Sequence, residues 1–331
     1  MLRFGRSKLY DQIYTDDALT DAWRKVKGGT AVAGVDDITV PVFEARLFAN
    51  LKTLQDELRQ RQYCPQPVKR FYLPKSDGSK RPVGILTVRD RIVQRALLNL
   101  LDPLIDPHFE ECNHGFRKGR SVQTALDQVG RLVQQQYAWL VDMDITAYFE
   151  HINTTRLYKI LKEHISEREL LRLLRAILDV ETVVAERAGV WQSVTSRGIL
   201  QGGVLSALFA NLYLDKFDKQ ALKQGLKHVR YGDDLVICCR SKPEAEATLR
   251  RVTKLLAKMD LEVNPRKNMI VHAEKGIHFL GERLLLKTTK RGKTRVVGSR
   301  PQPRPMRVVS APPSLPAAEP ELVDPDAAEI L

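Results

Sequence analysis

Residues 228–239 read HVRYGDDLVICC, and the fold turns on how this stretch is read. Apolar residues stand on both sides of a Gly-Asp pair, the pattern of a two-stranded hairpin turning at 232–233. Asp233 and Asp234 then sit at its tip. A Gly-Asp turn alone is commonplace, because both residue types suit tight turns. A second apolar run, AWLVDMDI at 138–145, gives it weight: it reads as a buried strand carrying Asp142 and Asp144. Carboxylates inside apolar strands are costly unless they are paired or hold a metal.

Carboxylates on adjoining strands suit a pair of divalent ions roughly 3.5–4 Å apart, the arrangement that drives in-line displacement at a phosphate. Mg²⁺ prefers a few carboxylates together with water and substrate phosphates, and Mn²⁺ can substitute for it.

Outward from this centre, the chain up to about residue 60 reads as helical. Ala45, Leu47, Phe48, Leu51, Leu54 and Leu58 recur at near-helical spacing. An extended, proline-punctuated stretch follows, with Asp77-Gly78 as a turn between two strands. Helical spacing returns at 88–105, 155–179 and 204–219. Ser241, Pro243 and Glu244 mark another helix start. Strands are expected around 261–263 and 277–280. Residues 287–307 hold eight basic and no acidic side chains, and a Pro- and Ala-rich acidic end follows. This last segment reads as a disordered tail or linker.

The 331 residues carry a net charge of +13 and a pI near 9.6, a balance that attracts polyanions such as nucleic acid. Cys64, Cys112, Cys238 and Cys239 show no paired zinc spacing and suit a reducing compartment. No window is long and apolar enough to span a membrane, and MLRFGRSKLY lacks a signal-peptide core. A cytoplasmic protein with no membrane partner is expected.

Several ordered motifs then become specific. VDMDITAYFEHI (141–152), RGILQGGVLSALFANLYLD (197–215), RYGDDLVIC (230–238) and GIHFLGERL (276–284) resemble the palm of group II intron-type reverse transcriptases. FYLPKSDGSKRPVGILTVRDRIVQRAL (71–97) and NHGFRKGRSVQTAL (113–126) resemble the fingers of that family, and residues 34–70 its N-terminal extension. The likeness spans roughly residues 25–285. It implies an α+β right-hand polymerase: a helical extension (1–65), fingers (66–135) and a palm with an antiparallel sheet (136–286). A basic, disordered tail (287–331) follows, with a thumb absent or minimal.

By resemblance, Asp144, Asp233 and Asp234 hold two Mg²⁺ ions, with Ile145 in the metal set. Asp144 is preferred to Asp142 because Phe149 then falls five residues on, where the family places a steric gate against the ribose 2′-hydroxyl. Ala147 would hold that place if Asp142 were the ligand. The resemblance also gives Lys75 and Arg81 to the incoming triphosphate, and Gln201 and Gly202 to the nascent pair. Arg117, Lys118, Arg120 and Tyr231 go to template or primer, and Lys267 to proton donation. Leu200 and Ala207 stand where the family usually has prolines, and Gly232 where intron-type enzymes usually have alanine. The implied activity is RNA-directed DNA synthesis from a primer 3′-hydroxyl. Phe149 argues against the viral RNA polymerases that share Gly-Asp-Asp, and the three carboxylates argue against a non-catalytic maturase. A CRISPR-linked role beside an adaptation integrase is preferred to an intron remnant or an antiphage enzyme.

Overall fold

The computed structural model describes residues 8–29, 32–74, 80–187, 190–194, 197–265, 268–288 and 294–299. Helices α1 (Leu9–Gln12), α2 (Asp16–Lys27), α3 (Val40–Glu44) and α4 (Leu47–Arg59) come first. Thr15 caps α2 by accepting from the Ala18 N–H at 3.2 Å, and acidic first-turn and basic last-turn residues complement its dipole. The stripe expected over 45–58 is interrupted at its start, because α3 ends at Glu44 and α4 begins at Leu47. Leu54 and Leu58 are buried as expected, but Phe48 is 86% exposed.

Strands β1 (Val68–Pro74) and β2 (Lys80–Ile85) pair antiparallel, with Pro74 opposite Lys80. The Asp77-Gly78 turn between them lies outside the described residues. Helix α5 (Val88–Ile105) starts at Thr87, whose side chain accepts from the Asp90 N–H. The Asp90 carboxylate accepts in turn from the hydroxyls of Thr87 (2.7 Å) and Tyr63 (2.6 Å). This ties the helix start to the segment that follows α4. Next come α6 (Val122–Gln134), which opens on a Ser121/Thr124 capping box, β3 (Trp139–Asp144), α7 (Tyr148–His151), α8 (Thr154–His164) and α9 (Arg168–Leu178). Strands β4 (Thr182–Arg187) and β5 (Val190–Val194) join β1 and β2 in a four-stranded sheet ordered β2-β1-β4-β5, with β1 and β4 parallel.

Helix α10 (Ser206–Lys223) leads into β6 (Lys227–Tyr231), β7 (Asp234–Cys239), α11 (Lys242–Ala257) and β8 (Met269–His272). The central sheet is antiparallel throughout, in the order β6-β7-β3-β8. Its strand alternation positions the site. Val141 and Met143 of β3, with Leu235, Ile237 and Cys239 of β7, lie on the large core that also takes in α10 and α11. The opposite face runs Leu140, Asp142, Asp144 on β3 and Cys238, Val236, Asp234 on β7. Its apolar half is covered by Ala125, Leu126, Val129 and Val133 of α6, and its acidic end is only half buried.

Two sequence expectations are corrected here. Residues 261–263 supply a single bridge, Val263 to Ile145, while the edge strand is β8. The chain also does not leave regular structure at 287: β9 (Ile277–Phe279), β10 (Glu282–Thr288) and β11 (Thr294–Ser299) form a three-stranded sheet. Thr288 pairs with Thr294, so backbone pairing includes residues 287–288 and 294–299 of the stretch whose composition suggested disorder. Residues 300–331 lie outside the described residues.

Candidate active site

The site begins as a matter of register. Asp144 closes β3 and Asp234 opens β7, and their Cα atoms are direct cross-strand partners. Tyr231 pairs with Asp234 across β6 and β7, which leaves Gly232 and Asp233 as a two-residue turn, as the sequence predicts. Gly232 has φ +66 and Asp233 has no positive φ, which suits the hairpin turn that takes glycine at its first central position. A Cβ at 232 would also stand 3.2 Å from the Phe116 ring. Glycine in place of the family's usual alanine therefore fits this backbone.

Asp142, two residues before Asp144 on the same strand face, reports the local field. Burial pushes its carboxyl up, and the charges of Asp234 and Asp144 push it further, to about 7. Such an accumulation of negative charge fits a divalent cation, and the donors are hard oxygens of the kind Mg²⁺ prefers. A second cluster, Cys112, Asp218 and His228, has ligand atoms within 4.8 Å of one another. It does not fit a cation, because the guanidinium of Arg230 already holds Asp218 from 2.5 Å. A metal there would face a buried positive charge.

Beside the carboxylates lies a pocket of about 120 Å³ that brings several predicted residues together. Asp144, Ile145, Asp233, Phe149, Arg81 and Gln201 all line it. Phe149 is half buried, and its carbonyl accepts from the Ile199 N–H at 2.9 Å. The Gln201 carbonyl accepts from the Gly84 N–H at 2.8 Å, which joins this loop to β2. Gly202 has φ +102, and a Cβ there would meet the Gly84 carbonyl at 2.9 Å. Lys75 and Lys267 lie outside the described residues.

Arg70 and Arg197, which the sequence reading passed over, also line the pocket. The signal for Arg70 was available, since it belongs to the same expected hairpin as Arg81. Arg117 is corrected. It donates to the Asp106 side chain at 2.7 and 3.2 Å, and to the carbonyls of Asp106, Glu110 and Asn113 at 2.9–3.0 Å. Those five bonds use every N–H of the guanidinium, so it braces its own loop rather than a phosphate. Arg120 is paired with the exposed Glu111, and Lys118 is exposed. Tyr231 stays beside the turn, with its ring 6.1 Å from that of Phe116. Phe116 itself is 54% exposed and has φ +58, a strained choice for an aromatic residue.

A family model described as "Reverse transcriptase (RNA-dependent DNA polymerase)" matches residues 73–284. Protein YkfC of Escherichia coli K12 is 30% identical, with the match covering 83% of this chain and 81% of YkfC. The group II intron-encoded protein LtrA of Lactococcus lactis is 29% identical over 83% of this chain, but the chain spans only 56% of LtrA. Among solved structures, the apo telomerase of Candida tropicalis truncated from its C-terminal domain superposes with a TM-score of 0.53 at 13% identity. That match covers 70% of this chain and 55% of the telomerase chain, and it shows a shared fold.

Proposed function

Because this chain belongs to the reverse transcriptase family, the RNA-directed DNA polymerases, we propose that it extends a primer 3′-hydroxyl with deoxynucleotides at the Asp144–Asp233–Asp234 face. The observation that carries this reading is the cross-strand pairing of Asp144 with Asp234, with Asp233 on the turn between strands and lining one pocket with Phe149, Arg81 and Gln201. Asp144, Asp233 and Asp234, with the neighbouring Ile145, would hold Mg²⁺ or Mn²⁺. When bound, the ions would activate the attacking hydroxyl and offset charge on the departing pyrophosphate. The protein's own groups supply the rest. Arg81, with Arg70 and Arg197 around the same pocket, offers forked donors to triphosphate oxygens. Phe149 presents a ring where a ribose 2′-hydroxyl would need room, and the Gln201–Gly202 backbone supports the nascent pair from the β2 side. Lys75 and Lys267 keep their roles as triphosphate clamp and proton donor within this proposal.

The test is primer extension on an RNA template with Mg²⁺, comparing the wild-type chain with Asp233→Ala. Loss of on the order of 100-fold or more in rate is expected, since several kcal/mol of charge stabilisation would vanish. Equal incorporation by both proteins would exclude the assigned site, and no incorporation by either would leave RNA binding without chemistry as the reading. For the biological setting, sequence similarity to an intron-encoded protein supports a group II-type lineage. Spacer acquisition from RNA, beside a CRISPR adaptation integrase, is the further proposal. It predicts cDNA joined to integrase substrates when the two proteins are mixed.

A further inference from the structure

Immediately behind the carboxylate site lies an ion pair with both partners buried. The side chains of Arg230 and Asp218 are each 1% exposed. The Arg230 Nε donates to both Asp218 oxygens at 3.0 Å, and Nη2 donates to Oδ2 at 2.5 Å. Burial pushes Asp218 up, but the charge and hydrogen bonds of Arg230, together with His228, outweigh it and hold the carboxyl at about 2. The remaining arm is the informative one. Arg230 Nη1 donates to the Gly232 carbonyl at 3.0 Å and to Asn211 Oδ1 at 3.1 Å. Asn211 Nδ2 then donates to the Gly115 carbonyl at 2.7 Å.

The same residue is fixed through its main chain. The Arg230 N–H donates to the Cys112 carbonyl, and the Arg230 carbonyl accepts from the His114 N–H, both at 2.8 Å. Gly115 packs so closely on the turn that a Cβ there would stand 2.3 Å from the Gly232 nitrogen. The carbonyl that Arg230 grips belongs to the peptide leading into Asp233. Rotation of that peptide would turn the Asp233 carboxylate and disturb the start of β7 at Asp234, and a buried ion pair costs too much desolvation to be a cheap way of gaining stability alone.

We propose that Asp218 and Arg230, with Asn211, are positioning residues. Asp218 orients the guanidinium, and the guanidinium locks the 232–233 peptide so that Asp233 and Asp234 are preset for divalent cations. This rests on the function proposed above, so the test carries a readout besides turnover. Wild type, Asp233→Ala, Asn211→Ala and the double variant Asp218→Leu/Arg230→Met are compared. The double variant removes both charges together and leaves no lone buried ion. Two quantities are measured: the rise in melting temperature caused by Mn²⁺ or Mg²⁺ alone, and primer extension across a Mg²⁺ titration.

Expected for a folded double variant is loss of most of the cation-induced rise. Its kcat should fall at least tenfold, half-saturation should move to higher Mg²⁺, and the dNTP KM should stay within about threefold. Asn211→Ala, which leaves the ion pair in place, should shift Mg²⁺ half-saturation in the same direction by a few-fold. That variant decides the matter if the double variant does not fold. Wild-type cation response in Asn211→Ala, or in a folded double variant, would overturn the proposal. If Asp233→Ala matches wild type in extension, the polymerase reading fails instead, and the cation-induced melting shift still tests the brace.

Discussion

At the scale of single residues, position on the sheet decides what each carboxylate can do. Asp142, Asp144 and Asp234 share a face because of strand alternation, yet only Asp144 and Asp234 stand opposite each other at the open end. Phe149 is the residue whose role is sharpest to test. Its ring lines the pocket beside Asp144 and Asp233, so Phe149→Ala should admit ribonucleotides. A steric wall of this size is worth about 1–3 kcal/mol, or roughly 10- to 200-fold in discrimination. The ratio of kcat/KM for dCTP and CTP, measured on one primer–template, should fall by that order. An unchanged ratio would remove Phe149 from the gate. Arg117 carries the opposite lesson, for a cation in a glycine-rich loop looked like a phosphate ligand until its five donors were found spent on Asp106 and three carbonyls.

At the scale of elements, the loop before α10 and the strand β2 act as one unit. The Gly84 N–H to Gln201 carbonyl bond and the close approach of Gly202 to the Gly84 carbonyl join the two. Gly202→Ala should therefore strain the loop by about 1–3 kcal/mol, since φ +102 excludes an L side chain and the Cβ collides with backbone. A raised dNTP KM together with a lower melting temperature is the expected pair of effects. A variant with wild-type values for both would show that the loop relaxes freely. Much at this scale was legible in the sequence. The turn at 232–233, the helix over 88–105 and the start at Ser241 follow from periodicity and local capping chemistry, which need no distant partner. The Asp218–Arg230 pair was not legible, because the two lie twelve positions apart on different elements, α10 and β6, and only the packed fold makes them neighbours. The β10–β11 hairpin was missed for a related reason. Basic residues lie between and after its short strands, so composition suggested a solvated tail while cross-strand pairing decided the outcome.

At the scale of the whole molecule, two electrostatic terms pull on different properties. Asp218, held at about 2 in the folded chain, would sit near 3.9 when unfolded. The folded value is the lower one, so its contribution is complete above about pH 4 and is lost as pH falls from there towards 2. That contribution is about 2–3 kcal/mol. Acid melting curves of wild type should show this slope, and the Asp218→Leu/Arg230→Met variant should lack it. Equal slopes would mean that Asp218 is not depressed.

The other term is the long-range field of a chain with net charge +13. Arg300, Arg304 and Arg307 follow the last described strand, and they sit before the acidic end of the chain. If they touch template or duplex phosphates, removing residues 300–331 subtracts up to three contacts. The slope of log affinity against log salt should then flatten by up to about 2 on a single strand or about 3 on a duplex, at roughly 0.7 and 0.9 per phosphate. Cutting after 299 rather than after 286 matters, because the earlier cut would sever β10 and remove β11, and would confuse folding with charge. An unchanged salt slope in that truncation, with melting temperature preserved, would assign the electrostatic grip to the described body of the protein and release the basic end from any role as a clamp.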